Sequence, residues 1–303
     1  MIKQFIHAKI SWLQRENYKS FYLAFLRCAI SLWLLKEVMI NWSSIDLLYG
    51  PSSFIIHKNT FLTWLPGGIS FFRTLYTGFI ILYAIVIILN LLGIGRWGTA
   101  LLLFFMLDVI QKLNFGIVNG GHMMARLVLF YLVFANSYQY FVLYRRKENT
   151  GKQRPLMNLV SNLAAFSIML QLCLAYLSSG IAKLSDPFWQ HGEAIYYTLQ
   201  MERFVGTPLN KYLVQHDWLG IIATYAVLLF ELAFPLLIWI KKFRKPALIS
   251  GIVFHLSLYI FLMIYGFQEA FVLIYGMFLS NNKLVRLKEE VIAWLRKVAF
   301  KLF

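Results

Sequence analysis

Eight apolar runs order the chain, at 18–42, 71–92, 97–111, 121–144, 156–181, 219–240, 246–265 and 269–284. They are continuous and do not alternate, which is the pattern of membrane helices and not of barrel strands. About 20 apolar residues cross the hydrocarbon core, so the shorter third and eighth runs have the least defined limits. Backbone groups in lipid must be satisfied within their own segment, so the runs predict helices. The expected fold is all-α, a polytopic membrane helix bundle of about eight transmembrane helices. No repeat or low-complexity linker divides it, so a single domain is expected over 1–303, with its core at 18–284.

Two mixed segments lie outside the runs. At 192–204 (GEAIYYTLQMERF), Ile195, Tyr196, Leu199 and Met201 stand beside polar neighbours, as in a short amphipathic helix on the outer surface. From 281 on, and above all over 285–303, apolar residues mix with basic ones. A second such helix is expected there, on the anionic inner leaflet.

Charge sets the orientation. Lys3, Lys9, Arg15 and Lys19 precede the first run, and Arg96 follows the second. Arg145, Arg146, Lys147, Lys152 and Arg154 follow the fourth, Lys241, Lys242, Arg244 and Lys245 the sixth, and the tail is basic. Most of the 29 basic residues therefore sit on alternate connections, which predicts both termini in the cytoplasm. The chain is 60% hydrophobic and 14% charged with a net charge of +16, against about 25% charged residues in soluble domains. That excludes a soluble enzyme, a disordered chain and a nucleic-acid binder, and makes the lipid bilayer the first partner. Cys28 and Cys173 lie inside apolar runs and provide no disulfide framework. The first run is too long, and too charged at Arg27, Lys36 and Glu37, for a cleavable leader, so it is expected to stay in the membrane.

Ionisable residues at membrane depth are costly and point to function or to a partner. Those in the runs include Arg27, Asp108, Arg126, Glu231 and His255, with His122 and Lys183 at the outer rim. Asp108 and Lys112 are four apart and should pair on one helix face. Arg27 is expected to snorkel to the inner end of its helix. Glu37 and Arg126 are expected to neutralise each other. His122 opens the fourth run in NGGHMMAR and reads either as a capped rim histidine or as an acid–base group. Lys183, in AYLSSGIAKLSDPFW, reads either as an interfacial anchor or as a desolvated amine acting as a base.

Other signals are weaker. GIGRWG spells G-x-G-x-x-G, but no strand precedes it, so these glycines serve a tight turn between helices. The six histidines lack paired metal-ligand spacing, and no metal is expected. Tryptophans such as Trp42, Trp64, Trp189, Trp218 and Trp239 suggest interfacial belts.

Several runs, in order, resemble the transmembrane part of vitamin K-dependent γ-carboxylase and its bacterial relatives, the horizontally transferred transmembrane (HTTM) family. They are FLRCAISLWLLKEV, LLGIGRW, NGGHMMARLVLFYLVF, AYLSSGIAKLSDPFWQHGEAIYY, LLFELAFPLLIW and GIVFHLSLYIFLM. The most specific element is G-x-x-K-L followed by W-x-x-G-E-A. The resemblance implies that Lys183 is the base acting on vitamin K hydroquinone or menaquinol and that His122 supports it. Arg27, Glu231 and His255 fall on family positions, and Arg126 joins them as a further cofactor-binding candidate. The second lysine of the animal enzyme is replaced by Ala182. The implied chemistry is oxygen-dependent oxidation of the reduced quinone to an epoxide, generating a base for carboxylation of a peptide or other substrate at the outer face. The implied setting is a bacterial cytoplasmic (inner) membrane. The long extramembrane portion of the animal enzyme has no counterpart in the short tail. This leaves open an alternative, a non-catalytic accessory factor for maturation or export of a secreted peptide toxin.

Overall fold

The computed structural model describes residues 2–51, 53, 68–144, 154–204, 206–282, 284–286 and 288–290. Trp64, most of the basic connection after the fourth run and the tail beyond 290 lie outside the described residues. So, in the main, does the helix expected on the inner leaflet. Among the described residues there is helix and turn but no strand.

The chain forms two compact units. The first comprises Met1–Ile168 with Leu279–Phe303. It contains α1 (Ile2–Arg15), α2 (Ser20–Ile40), α3 (Ile45–Tyr49), α4 (Gly68–Leu91), α5 (Trp97–Leu113), α6 (Gly120–Phe134) and the start of α7 (Pro155–Leu184). Its core follows helical spacing: Leu23, Leu26, Ile30 and Leu34 form one stripe of α2, fully or almost fully buried with Ile87, Leu103 and Leu129.

The second unit is Met169–Phe278. It holds the rest of α7, α8 (Pro187–Gln190), α9 (Ala194–Thr198), α10 (Leu209–Gln215), α11 (Asp217–Leu237), α12 (Lys241–Leu262) and α13 (Phe267–Tyr275). Leu172, Ile238, Ala270, Ile274 and Met277 are its most buried apolar residues, with Phe234 next. The basic cluster after α11 begins α12 itself. Arg244 Nε there donates to the Ile238 carbonyl at 3.1 Å, satisfying an acceptor at the end of α11.

Four helices, α4, α7, α11 and α12, are long and apolar enough to cross a membrane. In α4, α11 and α12 only 28% of the apolar stretch is buried, leaving residues such as Ile85, Leu229 and Val253 exposed. Apolar surface on that scale needs lipid, so the chain is an integral membrane protein.

Three sequence expectations are corrected. The helix of the fourth run stops at Phe134, and 135–144 is irregular, with Phe141 in the left-handed region at φ 54°. That segment is apolar enough to be helical, but side chains and other backbone satisfy several of its backbone groups. Leu143 N–H donates to the Leu92 carbonyl at 2.9 Å, and Arg27 takes several of its carbonyls. Arg27 accordingly does not snorkel. It is fully buried, with its guanidinium turned to backbone carbonyls. The segment 192–204 is broken into α9 and a 3₁₀ turn at Glu202–Phe204. It packs on α11, where Thr224 Oγ1 accepts from Ile195 N–H at 3.1 Å and Ala194 and Leu199 are buried.

The turn after α4 uses Gly93 and Gly95 as expected, whereas Gly98 falls inside α5. Gly93 has φ +71°, and a Cβ there would lie 2.6 Å from Val142 Cγ1. Gly93→Ala is expected to destabilise the protein by about 1–2 kcal/mol through strain and this overlap. Thermal unfolding in detergent checks it.

Candidate functional site

The site builds from the last turns of α7. Ser179 and Lys183 are four apart and share a helix face. Gly180 lies between them, and a Cβ there would come within 2.8 Å of Leu232 Cδ2, so α11 can approach α7 closely. This brings Glu231 against Lys183. Lys183 Nζ lies 2.6 Å from both Glu231 carboxylate oxygens and donates to Ser179 Oγ at 2.8 Å. Ser179 in turn donates to Glu231 Oε1 at 3.2 Å. The Trp189 ring from α8 covers the ammonium at 4.9 Å from its centroid. The Glu231 side chain is 4% exposed and that of Lys183 19%. The pair is largely withdrawn from water, where its attraction is strong and each charge depends on the other.

His255 lies deeper in the same unit, on α12. Its Nε2 is 2.7 Å from Tyr176 Oη, which is 2.6 Å from Tyr275 Oη. Phe254, Phe267 and Phe271 surround the imidazole, and His255 Nδ1 is buried without a partner. Tyr176 precedes Lys183 by two helical turns on α7. An apolar groove of about 690 Å³ between α11 and α12 is lined by Ala226, Phe230, Ala233, Val253 and Phe254 among others.

In the first unit, His122 opens α6 through a capping box with Asn119, whose Oδ1 accepts from Gly121 N–H and His122 N–H. Its ring faces Trp33 at 5.2 Å, and its Nε2 lies 3.9 Å from Glu37 Oε2. Both line a cavity of about 50 Å³ that also touches Tyr49, Tyr83 and Gln111. Tyr49, half-buried there, has its phenol pushed up to about 12 by burial and then by the Glu37 carboxylate. It therefore stays protonated and able to donate.

Arg126 does not meet Glu37. Its Nη1 lies 2.6 Å from Asp108 Oδ1, while Lys112 holds Oδ2 at 2.6 Å. The expected Asp108–Lys112 pair thus exists and is the centre of a three-residue network. Arg126 takes Asp108 because α5 and α6 are the neighbouring helices, and Glu37 is left to Lys36 at 3.4 Å and to His122.

Of the six residues singled out from the sequence, Lys183 and Glu231 are joined directly and His255 lies in the same unit. His122, Arg126 and Arg27 belong to the other unit. Ser179, Trp189, Tyr176 and Tyr275 are additions from the structure. The i, i+4 spacing of Ser179 and Lys183 is the sequence signal that marks the first. Among the described residues, no group of three or more His, Cys, Asp or Glu side chains could hold a metal ion. Compared with family models, with curated proteins and with solved structures, the chain finds no match in any of the three.

Proposed function

We propose that this chain is a membrane enzyme of the HTTM type, related to the transmembrane part of vitamin K-dependent γ-carboxylase, in a bacterial cytoplasmic membrane. It crosses the bilayer about eight times with both termini inside, on the strength of its basic connections. Besides the four long helices, α2 with its 21 residues has the length to span. The observation that carries the functional reading is the clasp of Lys183 by Glu231 and Ser179 at the end of α7.

A reduced quinone suits these surroundings. The groove beside Phe230 and Phe254 is apolar and large enough for an isoprenoid chain, and Glu231 follows Phe230 on α11. When bound, a reduced quinone would supply the oxygen-dependent base generation used to modify a peptide or other substrate. The protein's own part is proton handling. The 2.6 Å contact between the Lys183 ammonium and the Glu231 carboxylate is a path along which one proton can pass, leaving a neutral amine beside a neutral acid. The amine can then accept a proton from a hydroxyl placed against it, and Ser179 can hold that hydroxyl in line.

The test uses the double exchange Lys183→Glu with Glu231→Lys, which keeps the pair but moves the nitrogen to α11. Detergent-purified wild-type protein is expected to retain menaquinone on organic extraction. It should convert vitamin K hydroquinone to the epoxide in air, with the exchange variant folded but at least a hundredfold slower. Absence of epoxide with the wild type, or an undiminished rate in the variant, overturns the proposal.

One observation favours the second reading, an accessory factor for maturation or export of a secreted peptide. The three ammonium protons of Lys183 face three acceptors already, two on Glu231 and one on Ser179, as in a structural clamp. On that reading the exchange variant matures its peptide as well as the wild type does.

A further inference from the structure

The first unit contains a polar cavity of about 1070 Å³ that the quinone reading does not use. It lies where α1 ends, α2 and α7 begin, and the irregular segment after α6 meets residues 280–282, 285, 286 and 289. We propose that this cavity binds the phosphate headgroup of an anionic phospholipid.

Charge is the first reason. Arg15, Lys19, Arg154 and Arg286 line the cavity with Glu16 and Glu289, and although Arg286 also pairs with Glu290 at 3.1 Å the lining stays net positive. The starts of α2 and α7 add the positive ends of two long helices. Guanidinium groups match phosphate oxygens through paired donors. The second reason is an unmet polar group. Asn136 lines the cavity at 7% exposure, and its Oδ1 is buried without a partner, an acceptor that a small side-chain rotation would turn to a headgroup hydroxyl.

Depth identifies the source of the phosphate. α1 exposes Phe5, Ile6, Ile10 and Trp12 while carrying Lys3, Lys9 and Arg15, the composition of a helix lying in the bilayer interface. Trp12 also forms part of the cavity wall and stacks on Tyr18 with centroids 4.1 Å apart. The cavity therefore opens at the level of lipid headgroups, beside a helix whose apolar side chains reach the acyl region. A lipid phosphate meets it there at high local concentration, and a soluble phosphate does not.

The test measures lipid binding to delipidated, detergent-purified full-length chain by native mass spectrometry and by thermal shift. Phosphatidylglycerol is expected to bind and raise the unfolding midpoint, with phosphatidylcholine at least tenfold weaker. Inorganic phosphate at millimolar concentration should compete only weakly, since it lacks the acyl anchor. Arg15, Arg154 and Arg286 are all exposed, so Arg15→Gln/Arg154→Gln/Arg286→Gln should fold normally. It should bind phosphatidylglycerol at least tenfold more weakly. Arg286→Gln alone, whose side chain is 82% exposed, provides a milder variant with a smaller loss. Equal binding of the two lipids, unchanged binding by the triple variant, or stronger stabilisation by free phosphate than by the lipid overturns the proposal. None of these readouts depends on quinone turnover.

Discussion

Lys183→Met and Glu231→Gln should each unfold at markedly lower temperature than the wild type, while Lys183→Met/Glu231→Met should recover most of the difference. Lys183→Met leaves the Glu231 carboxylate, 4% exposed, with only the Ser179 hydroxyl to meet it. Glu231→Gln leaves the ammonium beside an amide. Removing one member of a buried pair costs about 3–5 kcal/mol, largely because a charge is stranded away from water. Replacing both members by apolar side chains of similar volume removes that charge, and is often neutral or better. Thermal unfolding in one detergent measures all four proteins. Activity then separates the two readings of the site. An enzyme loses turnover in both single variants and does not regain it in the double, because the amine is gone. A structural clamp regains function along with stability. If the single variants unfold with the wild type, the pair is not the buried, mutually dependent unit seen in the structure.

The helices were largely legible because lipid simplifies the code. A run apolar on every side can be satisfied in a bilayer only as a helix, so runs such as 71–92 and 219–240 match α4 and α11 within a few residues. The same rule failed at 135–144, since it presumes that a segment satisfies its own backbone. There the partners come from a distant side chain and from the turn after α4, and composition alone carries no trace of that. Spacing along one helix was equally readable: Asp108–Lys112 and the capped His122 follow from local geometry. Pairing between helices was not. Arg126 could face Glu37 or Asp108 by sequence, and only the packing of α5 against α6 decides for Asp108. The sequence places Glu231 only as an acid at membrane depth, and its pairing with Lys183 depends on the absent side chain at Gly180.

Arg27→Met is expected to be the most damaging single change outside the candidate site. Arginine carries five N–H donors in a fixed fork, and here they meet five carbonyls. Nη1 donates to Asn90 and, at 2.8 Å, to Leu91; Nη2 donates to Phe141 at 2.6 Å and Tyr140 at 3.4 Å; Nε donates to Ser137 at 3.4 Å. Those carbonyls belong to the end of α4 and to the irregular segment after α6; Asn90 also accepts from Gly93 N–H at 3.1 Å, while the others depend on the guanidinium in place of helical bonding. Each buried acceptor left unmet costs about 1–3 kcal/mol, so losing the fork should cost at least about 3 kcal/mol even if water reaches some of them. Arg27→Lys should recover little, because an ammonium on a flexible stem offers three donors and cannot span both segments. Arg126→Gln provides the comparison: its side chain is 30% exposed and Asp108 keeps Lys112, so a loss of about 1 kcal/mol is expected. Thermal midpoints in detergent, with size-exclusion profiles to report the folded fraction, rank the three variants. Arg27→Met unfolding no earlier than Arg126→Gln is the result that contradicts the stapling role, and with it the physical reason why a non-helical segment persists among membrane helices.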